Sequence, residues 1–369
     1  MAARKSPPAA EPKGLQRAPA ELLFKDELAA LRADDTAPRP PGWLLSPRAV
    51  KRFVLGDLSA GLRPKFVASP SVLDRAMVSL ATSRGLLLIG EPGTAKSWLS
   101  ELLAAAISGT STLTIQGSAA TGEDQIKYGW NYALLLAEGP SERALVPGPV
   151  LTGMRQGKLV RFEEITRCPL EVQDGLLSML SDRVLSIPEL PGEDGVVFAR
   201  EGFNIIATAN TRDRGVNEMS AALKRRFNFE TLHPISDLRA EVALVKREAE
   251  AQLRKSGVTL TLPEPVLDVL VTTFRDLRRG ETAEGVAVER PTSVLSTAEA
   301  VSVAHAIGVR AHYLGDGSAS VADVVECLAG AAVKESAEDL EKLRRYLELV
   351  AARRKEPHWV AFYEARARL

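Results

Sequence analysis

Short apolar runs alternate with amphipathic segments from about residue 46 to residue 234. The run at 85–89 is uninterrupted, as in a strand buried within a parallel sheet, whereas the apolar spacing over 70–81 predicts a helix. This alternation predicts an α/β domain over 46–234, with helices on both faces of a parallel sheet and a ligand at the carboxyl ends of its strands. Further strands are predicted over 111–115, 157–162, 203–208 and 228–232.

The pattern changes after about residue 235, where helices alone are predicted. Asp237 and Ser320 are typical helix caps, while Pro263 and Pro291 each stand where a helix is expected to begin. Residues 338–354 continue as an amphipathic helix with many oppositely charged residues four apart. A second, all-helical domain is therefore predicted over residues 235–369.

The first 45 residues, 1–45, are rich in proline and carry alternating charges. Because so little apolar surface is available there to offset the entropy of ordering, this segment is predicted to be a flexible tail. Leucines cluster within residues 20–31, which form either a docking helix or a stretch that is helical only transiently.

The composition is that of an ordinary globular protein, with 45% of the 369 residues hydrophobic and 25% charged. Basic and acidic residues both number 47, so the charge balance gives no reason to expect nucleic acid or an anionic membrane as a partner. No apolar run approaches the ~18–20 residues that span a bilayer, and no signal-peptide core is visible, so a cytoplasmic location is expected. Two distant cysteines and four scattered histidines predict neither a disulfide nor a zinc site.

A phosphate-binding loop follows the strand at 85–89. Residues 90–97 have the spacing G-x-x-x-x-G-K-S, and the segment after them predicts a helix that begins where the loop ends. Glycines let backbone N–H groups turn toward phosphate, Lys96 can reach the β- and γ-phosphates, and the Ser97 hydroxyl can ligate Mg²⁺. We expect the nucleotide to be contacted by Gly90, Glu91, Pro92, Gly93, Thr94, Ala95, Lys96, Ser97 and Trp98.

Two adjacent carboxylates, Glu163 and Glu164, end the predicted strand at 157–162. Hydrolysis of a phosphoanhydride needs one acid on the metal side and another that orients and deprotonates the attacking water. Glu163 is therefore assigned to Mg²⁺ and Glu164 to the general base. On their own, two glutamates after a strand are more often a solvated turn, but the phosphate loop upstream reverses that preference.

An asparagine and a basic run complete the set of candidate residues. Asn210, at the end of the strand 203–208, can hydrogen-bond the attacking water or the γ-phosphate without adding negative charge, although an asparagine also commonly starts a turn. Residues 224–226 are Lys-Arg-Arg, which are either a solvated face or the source of an arginine finger.

These features together resemble an AAA+ ATPase, over about residues 46–335. The stretch 162–167, Phe-Glu-Glu-Ile-Thr-Arg, is similar to the Asp-Glu-Ile-Asn-Arg of the MoxR branch, which is related to the ATPase subunits of magnesium and cobalt chelatases. Residues 182–188 resemble the hairpin region that this branch carries after the next helix. The resemblance implies a RecA-like P-loop domain followed by a helical lid, with ATP and Mg²⁺ bound.

Residue roles also follow from the resemblance. It implies Glu164 as the base and Asn210 as the sensor that positions water. Arg226 would be the finger that acts on the ATP of a neighbouring subunit, with Arg225 as the nearest competitor. Glu163 departs from the aspartate that the family usually has, which puts the geometry on the metal side in question.

The second sensor of the family is an arginine of the helical lid that touches the γ-phosphate. Arg290 resembles it, although the family more often has proline before this arginine, whereas Pro291 follows Arg290 here. Arg279 and Arg310 are therefore kept as alternatives for the same role.

The function implied is that of a MoxR-type ring, expected to be a hexamer, that couples ATP hydrolysis to remodelling or maturing a client protein. The family commonly works with a protein that carries a von Willebrand factor A domain. One alternative is a nucleotide-gated assembly protein with little turnover, which Glu163 keeps open. Another is a nucleic-acid motor, against which the balanced charge and the 5% aromatic content argue.

Overall fold

The computed structural model describes residues 16–210, 219–292, 295–332 and 338–369. Contacts divide these residues into two compact units. The described parts of the first unit are residues 16–88, 97–209 and 219–230, and those of the second are residues 89–96, 210, 231–292, 295–332 and 338–369. By its contacts, the phosphate loop is thus grouped with the C-terminal helices.

Five strands form the main sheet, in the order β2-β5-β8-β1-β9, and two further pairs form the antiparallel ribbons β3–β4 and β6–β7. The strands of the described residues are β1 Gly85–Gly90, β2 Thr114–Gln116, β3 Tyr128–Trp130, β4 Leu145–Pro147, β5 Leu159–Glu163, β6 Val184–Ser186, β7 Val196–Phe198, β8 Asn204–Asn210 and β9 Phe227–Leu232.

The middle of the sheet is parallel: β5 pairs with β2 and with β8, and Phe162 lies opposite both Ile115 and Ala207. All five residues of β5 are buried, as are the first six of β8. Strands buried on both faces of a parallel sheet are mostly apolar, and the polar residues of β5 and β8, Arg161, Glu163, Asn204 and Thr208, are buried as well. The predicted α/β fold with a parallel sheet flanked by helices is confirmed.

Short helices precede, follow and separate these strands. They are α1 Ala20–Leu23, α2 Lys25–Asp34, α3 Pro47–Leu55, α4 Pro70–Leu80, α5 Lys96–Ser108, α6 Glu123–Ile126, α7 Tyr132–Glu138, α8 Pro149–Gln156, α9 Leu170–Asp174, α10 Leu177–Ser181 and α11 Ala221–Lys224. The strand expected over 111–115 begins only at Thr114, because the backbone N–H and the hydroxyl of Ser111 donate to Glu21 at 3.1 and 2.6 Å.

The N-terminal segment is a correction to the expected flexible tail. Residues 16–45 contain α1 and α2, with Leu28, Leu31 and Leu45 buried, while residues 1–15 lie outside the described part of the chain. Glu101 of α5 is 3% exposed and accepts from the Ala20 backbone N–H at 3.0 Å. The local pattern held too little apolar surface to predict order, because much of the stabilising contact comes from residues far along the chain.

The second unit contains the remaining helices: α12 Leu238–Lys255, α13 Glu264–Arg279, α14 Thr297–Tyr313, α15 Val321–Ala332, α16 Glu338–Leu349 and α17 Pro357–Glu364. Asp237 caps α12 as predicted, accepting from the Ala240 N–H at 2.7 Å. The helix expected at Pro291 begins instead at Thr297, because Ser296 and Glu299 form a capping box there. The helix expected over 338–354 ends at Leu349.

Side chains of all six helices, α12 to α17, contribute to the core of the second unit, with Leu253, Leu270, Phe274 and Ile307 fully buried within it. One isolated antiparallel bridge, between Glu281 and Ala287, departs from the predicted all-helical pattern. Among the residues that the structure describes, no helix combines the length and apolarity needed to cross a membrane.

Candidate nucleotide-binding site

The loop between β1 and α5 has the conformation that its two glycines make possible. An added Cβ at Gly90 would lie 2.5 Å from the Leu232 carbonyl oxygen, and one at Gly93 would lie 1.9 Å from the Ser296 Cβ. Gly93 also has a φ of +78°, a backbone conformation that residues with a side chain rarely adopt. Backbone approach, and not only loop flexibility, therefore requires glycine at both positions.

Lys96 is folded into this loop. Its side chain is 7% exposed, and its ammonium donates to the carbonyl oxygens of Gly90 at 3.0 Å and Glu91 at 2.9 Å. Lys96 is also the first residue of α5, a helix of 13 residues. A lysine ammonium and a helix N-terminus at the same loop favour a bound phosphate group.

Ser97 contacts the first of the two strand-end acids. Its hydroxyl donates to Oε2 of Glu163 at 2.6 Å, and the hydroxyl of Thr208 in β8 donates to the same oxygen at 2.8 Å. Ser100, one turn along α5, donates to Oε1 at 2.7 Å. Glu163 is 4% exposed, so its carboxylate lies inside the protein, where hydrogen-bond donors satisfy both of its oxygens.

Arg161 is a functional candidate that sequence reasoning missed. It is 8% exposed, and its Nη2 donates to Oε1 of Glu163 at 2.8 Å and to the Ser97 carbonyl oxygen at 2.9 Å. Its Nε donates to the Ser100 hydroxyl at 2.9 Å. The available signal was an arginine inside the otherwise apolar stretch that leads to the acidic pair. Thr208 and Ser100 carried no comparable signal.

Glu164 lies in a different environment from its neighbour. Its side chain is 31% exposed, and its backbone is left-handed, with φ 55° and ψ 46°. The carboxylate accepts from Gln116 at 3.3 Å and pairs with Arg167 at 3.1 Å, while the backbone N–H donates to the Thr208 hydroxyl at 2.9 Å. A glutamate with a left-handed backbone at a strand end is an uncommon conformation of the kind found at active sites.

Asn210 ends β8, the strand next to β5 in the sheet, and is half-buried. The structure thus places it at a strand end, as the sequence predicts. Its role toward a water or a phosphate stays a prediction.

The basic run follows the short helix α11. Ser220 caps that helix, accepting from the Leu223 N–H at 3.2 Å while its own hydroxyl donates to Asp174 at 2.5 Å. Arg225 and Arg226 are exposed, and neither guanidinium has an ion-pair partner within the described ranges of this chain. The side chains of both arginines are therefore open to solvent and available to a group outside the described part of the chain.

A cavity of about 430 Å³ in the second unit adjoins the phosphate loop at Glu91. Arg278, Arg279 and Arg290 all line it. Arg278 is held by Glu241, with nitrogen–oxygen distances of 3.1 and 3.2 Å, and Arg290 donates to the Arg279 carbonyl oxygen. Arginine side chains clustered beside a phosphate loop suit an anionic ligand.

Arg310, one of the alternatives for the second sensor, lies elsewhere. It pairs with Asp323 at 2.6 Å and with Glu326, and it is absent from the lining of the described cavity. Arg290 and Arg279 are thus better placed for that role, and Arg278 joins them as a candidate that the sequence did not suggest.

Trp98 stays a predicted nucleotide contact, but its side chain has partners elsewhere in the protein. Its indole N–H donates to the Lys65 carbonyl oxygen at 3.0 Å, and its ring lies 6.2 Å from that of Phe24 in the N-terminal segment. The side chain therefore packs α5 against Lys65 and Phe24.

The oxygen atoms present suit Mg²⁺. Ser97 and Glu163 offer a hydroxyl and a carboxylate, which are hard ligands, and no group of three or more histidine, cysteine or acidic side chains gathers elsewhere in the described residues. Magnesium bound together with a nucleotide usually takes one or two protein oxygens and completes its shell with phosphates and water. An all-protein cage is not needed here.

Two protein-family models match the chain. The model described as AAA domain (dynein-related subfamily) matches residues 85–227, and the model described as YehL-like AAA+ ATPase C-terminal domain matches residues 239–369. Among solved structures, NtrX from Brucella abortus in complex with ATP aligns with a TM-score of 0.50 at 12% identity, over 79% of this chain and 63% of its own. At that identity the likeness concerns the fold alone.

Curated relatives extend the match to nearly the whole chain. Protein SH1500 of Staphylococcus haemolyticus is 30% identical over 157 residues, which are 42% of this chain and 58% of its own length. Protein YehL of Escherichia coli (strain K12) is 60% identical over 356 residues, which are 96% of this chain and 98% of its own length. The chain therefore belongs to the YehL family of AAA+ ATPases.

Proposed function

We propose that this protein is a MoxR-type ATPase that binds ATP with Mg²⁺ and hydrolyses it within a ring of identical subunits. The observation that carries the proposal is the 2.6 Å bond from Ser97 to Glu163, because it joins the helix of the phosphate loop to the acidic strand end. The matched AAA domain covers both segments. ATP and Mg²⁺ are the ligands that this pairing of groups suits best.

The residues divide the chemistry among them. Lys96 exchanges its two loop carbonyls for the β- and γ-phosphates, and the Ser97 hydroxyl and Glu163 hold the metal side. Mg²⁺, when bound, neutralises charge on the phosphate oxygens. Glu164, with a partly exposed carboxylate, takes the proton of the attacking water, and Asn210 orients that water.

The site is completed by a neighbouring subunit. Arg225 and Arg226 are exposed and have no ion-pair partner in the described part of their own chain, as expected of a finger that acts on another copy. Arg226, directly before β9, is the first choice and Arg225 the second. A closed ring, with six subunits as the family resemblance implies, gives every site such a neighbour.

Arginines of the second unit sense the γ-phosphate. Arg290, Arg279 and Arg278, which line the cavity beside Glu91, are the candidates, and Arg310 is set aside because it does not line that cavity. We retain the division of the chain near residue 234, with a nucleotide-binding domain over 46–234 and a lid over 235–369.

The proposed ring remodels or matures a client protein. Its partner is a protein that carries a von Willebrand factor A domain, and it acts in the cytoplasm. The support is the sequence at 162–167, similar to the MoxR motif, together with the ribbon β6–β7, which occurs where that resemblance predicts a hairpin.

The experiment is to measure ATP turnover per subunit with Mg²⁺ as the protein concentration is raised. A rate per subunit that climbs and then levels supports a site completed by a neighbour. A rate that is constant from the lowest concentration contradicts the proposed ring, and absence of ATP binding contradicts the function.

A second candidate is an assembly protein gated by ATP binding, with little turnover. It is favoured by Glu163, whose two oxygens are already occupied by Ser97, Ser100, Thr208 and Arg161. ATP binding that changes the oligomeric state, measured by light scattering, with no phosphate released at any protein concentration, would select this candidate.

A further inference from the structure

We propose that Arg161 is a positioning residue for the metal-side carboxylate of Glu163, and that it compensates for the extra methylene of glutamate at this place. The inference rests on the proposed binding of Mg²⁺ and nucleotide, and it assigns a role to a residue outside the catalytic set. Among the hydrogen bonds that its side chain makes with the described residues, Arg161 contacts the phosphate loop only at the Ser97 carbonyl oxygen, and none of these bonds goes to the base Glu164.

The two oxygens of the Glu163 carboxylate have separate partners. Oε1 accepts from Arg161 Nη2 at 2.8 Å and from the Ser100 hydroxyl at 2.7 Å. Oε2 accepts from the hydroxyls of Ser97 at 2.6 Å and Thr208 at 2.8 Å. Since Ser97 is the hydroxyl expected on the metal, Oε2 is the oxygen that faces the metal side and Oε1 is the one that is anchored.

Arg161 itself is fixed at several points, so it can act as a rigid anchor. Its Nε donates to the Ser100 hydroxyl at 2.9 Å, which in turn donates to Glu163. Its Nη2 also donates to the Ser97 carbonyl oxygen at 2.9 Å, and its Nη1 to the Ser111 carbonyl oxygen at 3.1 Å. A planar guanidinium with five donors can make all these bonds at once, which a lysine ammonium cannot.

The longer side chain of glutamate makes an anchor necessary. Glutamate has one more rotatable bond than aspartate, so its carboxylate can adopt more conformations. A buried carboxylate also needs hydrogen-bond donors for both of its oxygens. Arg161 and Ser100 select one position by occupying Oε1. Removing such a second partner of a metal-side ligand typically weakens metal affinity by about 10–100-fold.

The charge of Arg161 and its positioning of Glu163 have opposite expected effects on Mg²⁺ affinity, so an experiment can tell them apart. The positive charge of Arg161 opposes a nearby Mg²⁺, so losing that charge alone would tighten metal binding. Losing the anchor would weaken it. Because the guanidinium contacts Oε1, away from the hydroxyls on Oε2, we expect the loss of position to dominate.

The test measures the affinity of a fluorescent ATP analogue with Mg²⁺ and with EDTA, which needs no turnover. We expect Arg161→Met to bind the analogue in EDTA as the native protein does, but to lose about tenfold or more of the gain in affinity that Mg²⁺ provides. Arg161→Lys and Ser100→Ala should lose part of that gain. Arg344→Met, which breaks an exposed ion pair with Glu341 in α16, is the control and should keep the gain in full.

A compensating variant separates positioning from a general loss of stability. Combining Arg161→Met with Glu163→Asp shortens the side chain that needs the anchor, and should recover most of the Mg²⁺-dependent gain. If Arg161→Met fails to fold, Arg161→Lys and Ser100→Ala decide the question by the same ratio.

Three results would overturn the proposal: an unchanged or increased Mg²⁺-dependent gain in the folded Arg161 variants, an equal loss of affinity in EDTA and in Mg²⁺, or a double variant no better than Arg161→Met. A native protein whose affinity for the analogue does not rise with Mg²⁺ would count against the proposed function instead.

Discussion

The acidic end of β5 and the arginine run after α11 both carry ionisable side chains, but they differ in burial and in the number of bonds to the rest of the chain. Glu163 is 4% exposed and receives four hydrogen bonds from its own chain. Arg225 and Arg226 are exposed and have no ion-pair partner among the described residues. The hydrogen-bonding capacity of the first region is filled by its own chain, whereas the positive charges of the second are not neutralised by any described residue.

This difference separates binding from turnover. Groups that hold the metal side must be desolvated and fixed before the ligand arrives, which the interior of one subunit can provide. In the proposed ring, a cation for the developing charge on the γ-phosphate comes from another subunit, so it must be exposed in the single chain. The comparison therefore predicts that the two regions fail differently when they are changed.

The largest effect is expected from the proposed base, Glu164. Glu164→Gln keeps the size of the side chain and removes the proton acceptor, so turnover should fall by about 10²–10⁴-fold while ATP affinity stays within about threefold of the native value. The measurements are phosphate release and nucleotide binding on the same preparation. Glu171→Gln, at an exposed acid of α9, is the matched control and should change neither. Full ATPase activity of Glu164→Gln would contradict the role of Glu164 as the general base.

The arginine run should give a somewhat smaller loss that a second variant can repair. Arg226→Ala alone should lower turnover by about 10²-fold or more, since in the proposed ring the finger of one subunit serves its neighbour. Mixing it with Glu164→Gln should restore activity above that of either variant, because some sites then combine an intact acid with an intact finger. Arg48→Ala, at an exposed arginine of α3, is the control.

That mixing experiment can also break the comparison. If Arg226→Ala retains full turnover and Arg225→Ala does not, Arg225 is the finger. Failure of every mixture to exceed its components, with rings still formed, would mean that the run does not act between subunits.

The smallest effect is expected from the residue that holds the run in place. Ser220→Ala removes both the cap of α11 and the 2.5 Å bond to Asp174, which should cost about 1 kcal/mol locally and lower turnover by a few-fold. ATP affinity should not change. Asp174→Asn, which removes the charge of the acceptor, should have the same direction, and an altered ATP affinity in either variant would contradict the separation of the two regions.

Sequence reasoning was strongest where backbone geometry dictates residue type. Gly90, Gly93 and Lys96 were identifiable because close backbone approach and a phosphate ligand leave few alternatives. The order of strands and helices followed from apolar runs, and the sheet confirms it. Helix ends were less accurate: the capping box at Ser296, and not Pro291, sets the start of α14.

The misses share a physical cause, which is contact between distant parts of the chain. The buried pair of Arg161 with Glu163 is local, but its meaning depends on Ser97 and Ser100, more than sixty positions earlier along the chain. Ala20 of the first N-terminal helix donates to Glu101, and the Trp98 indole donates to the Lys65 carbonyl oxygen. No pattern within a short window reports such partners.

The attachment of the N-terminal helices to α5 has a consequence for any attempt to shorten the protein. The AAA match begins at residue 85, and a gene trimmed there, or at residue 46, would remove Arg17 and Ala20, both of which bond to Glu101. A carboxylate that is 3% exposed would then be stripped of two donors, in the helix that begins with Lys96. The smallest form of this protein that can be produced in a soluble, nucleotide-competent state should therefore start no later than residue 16.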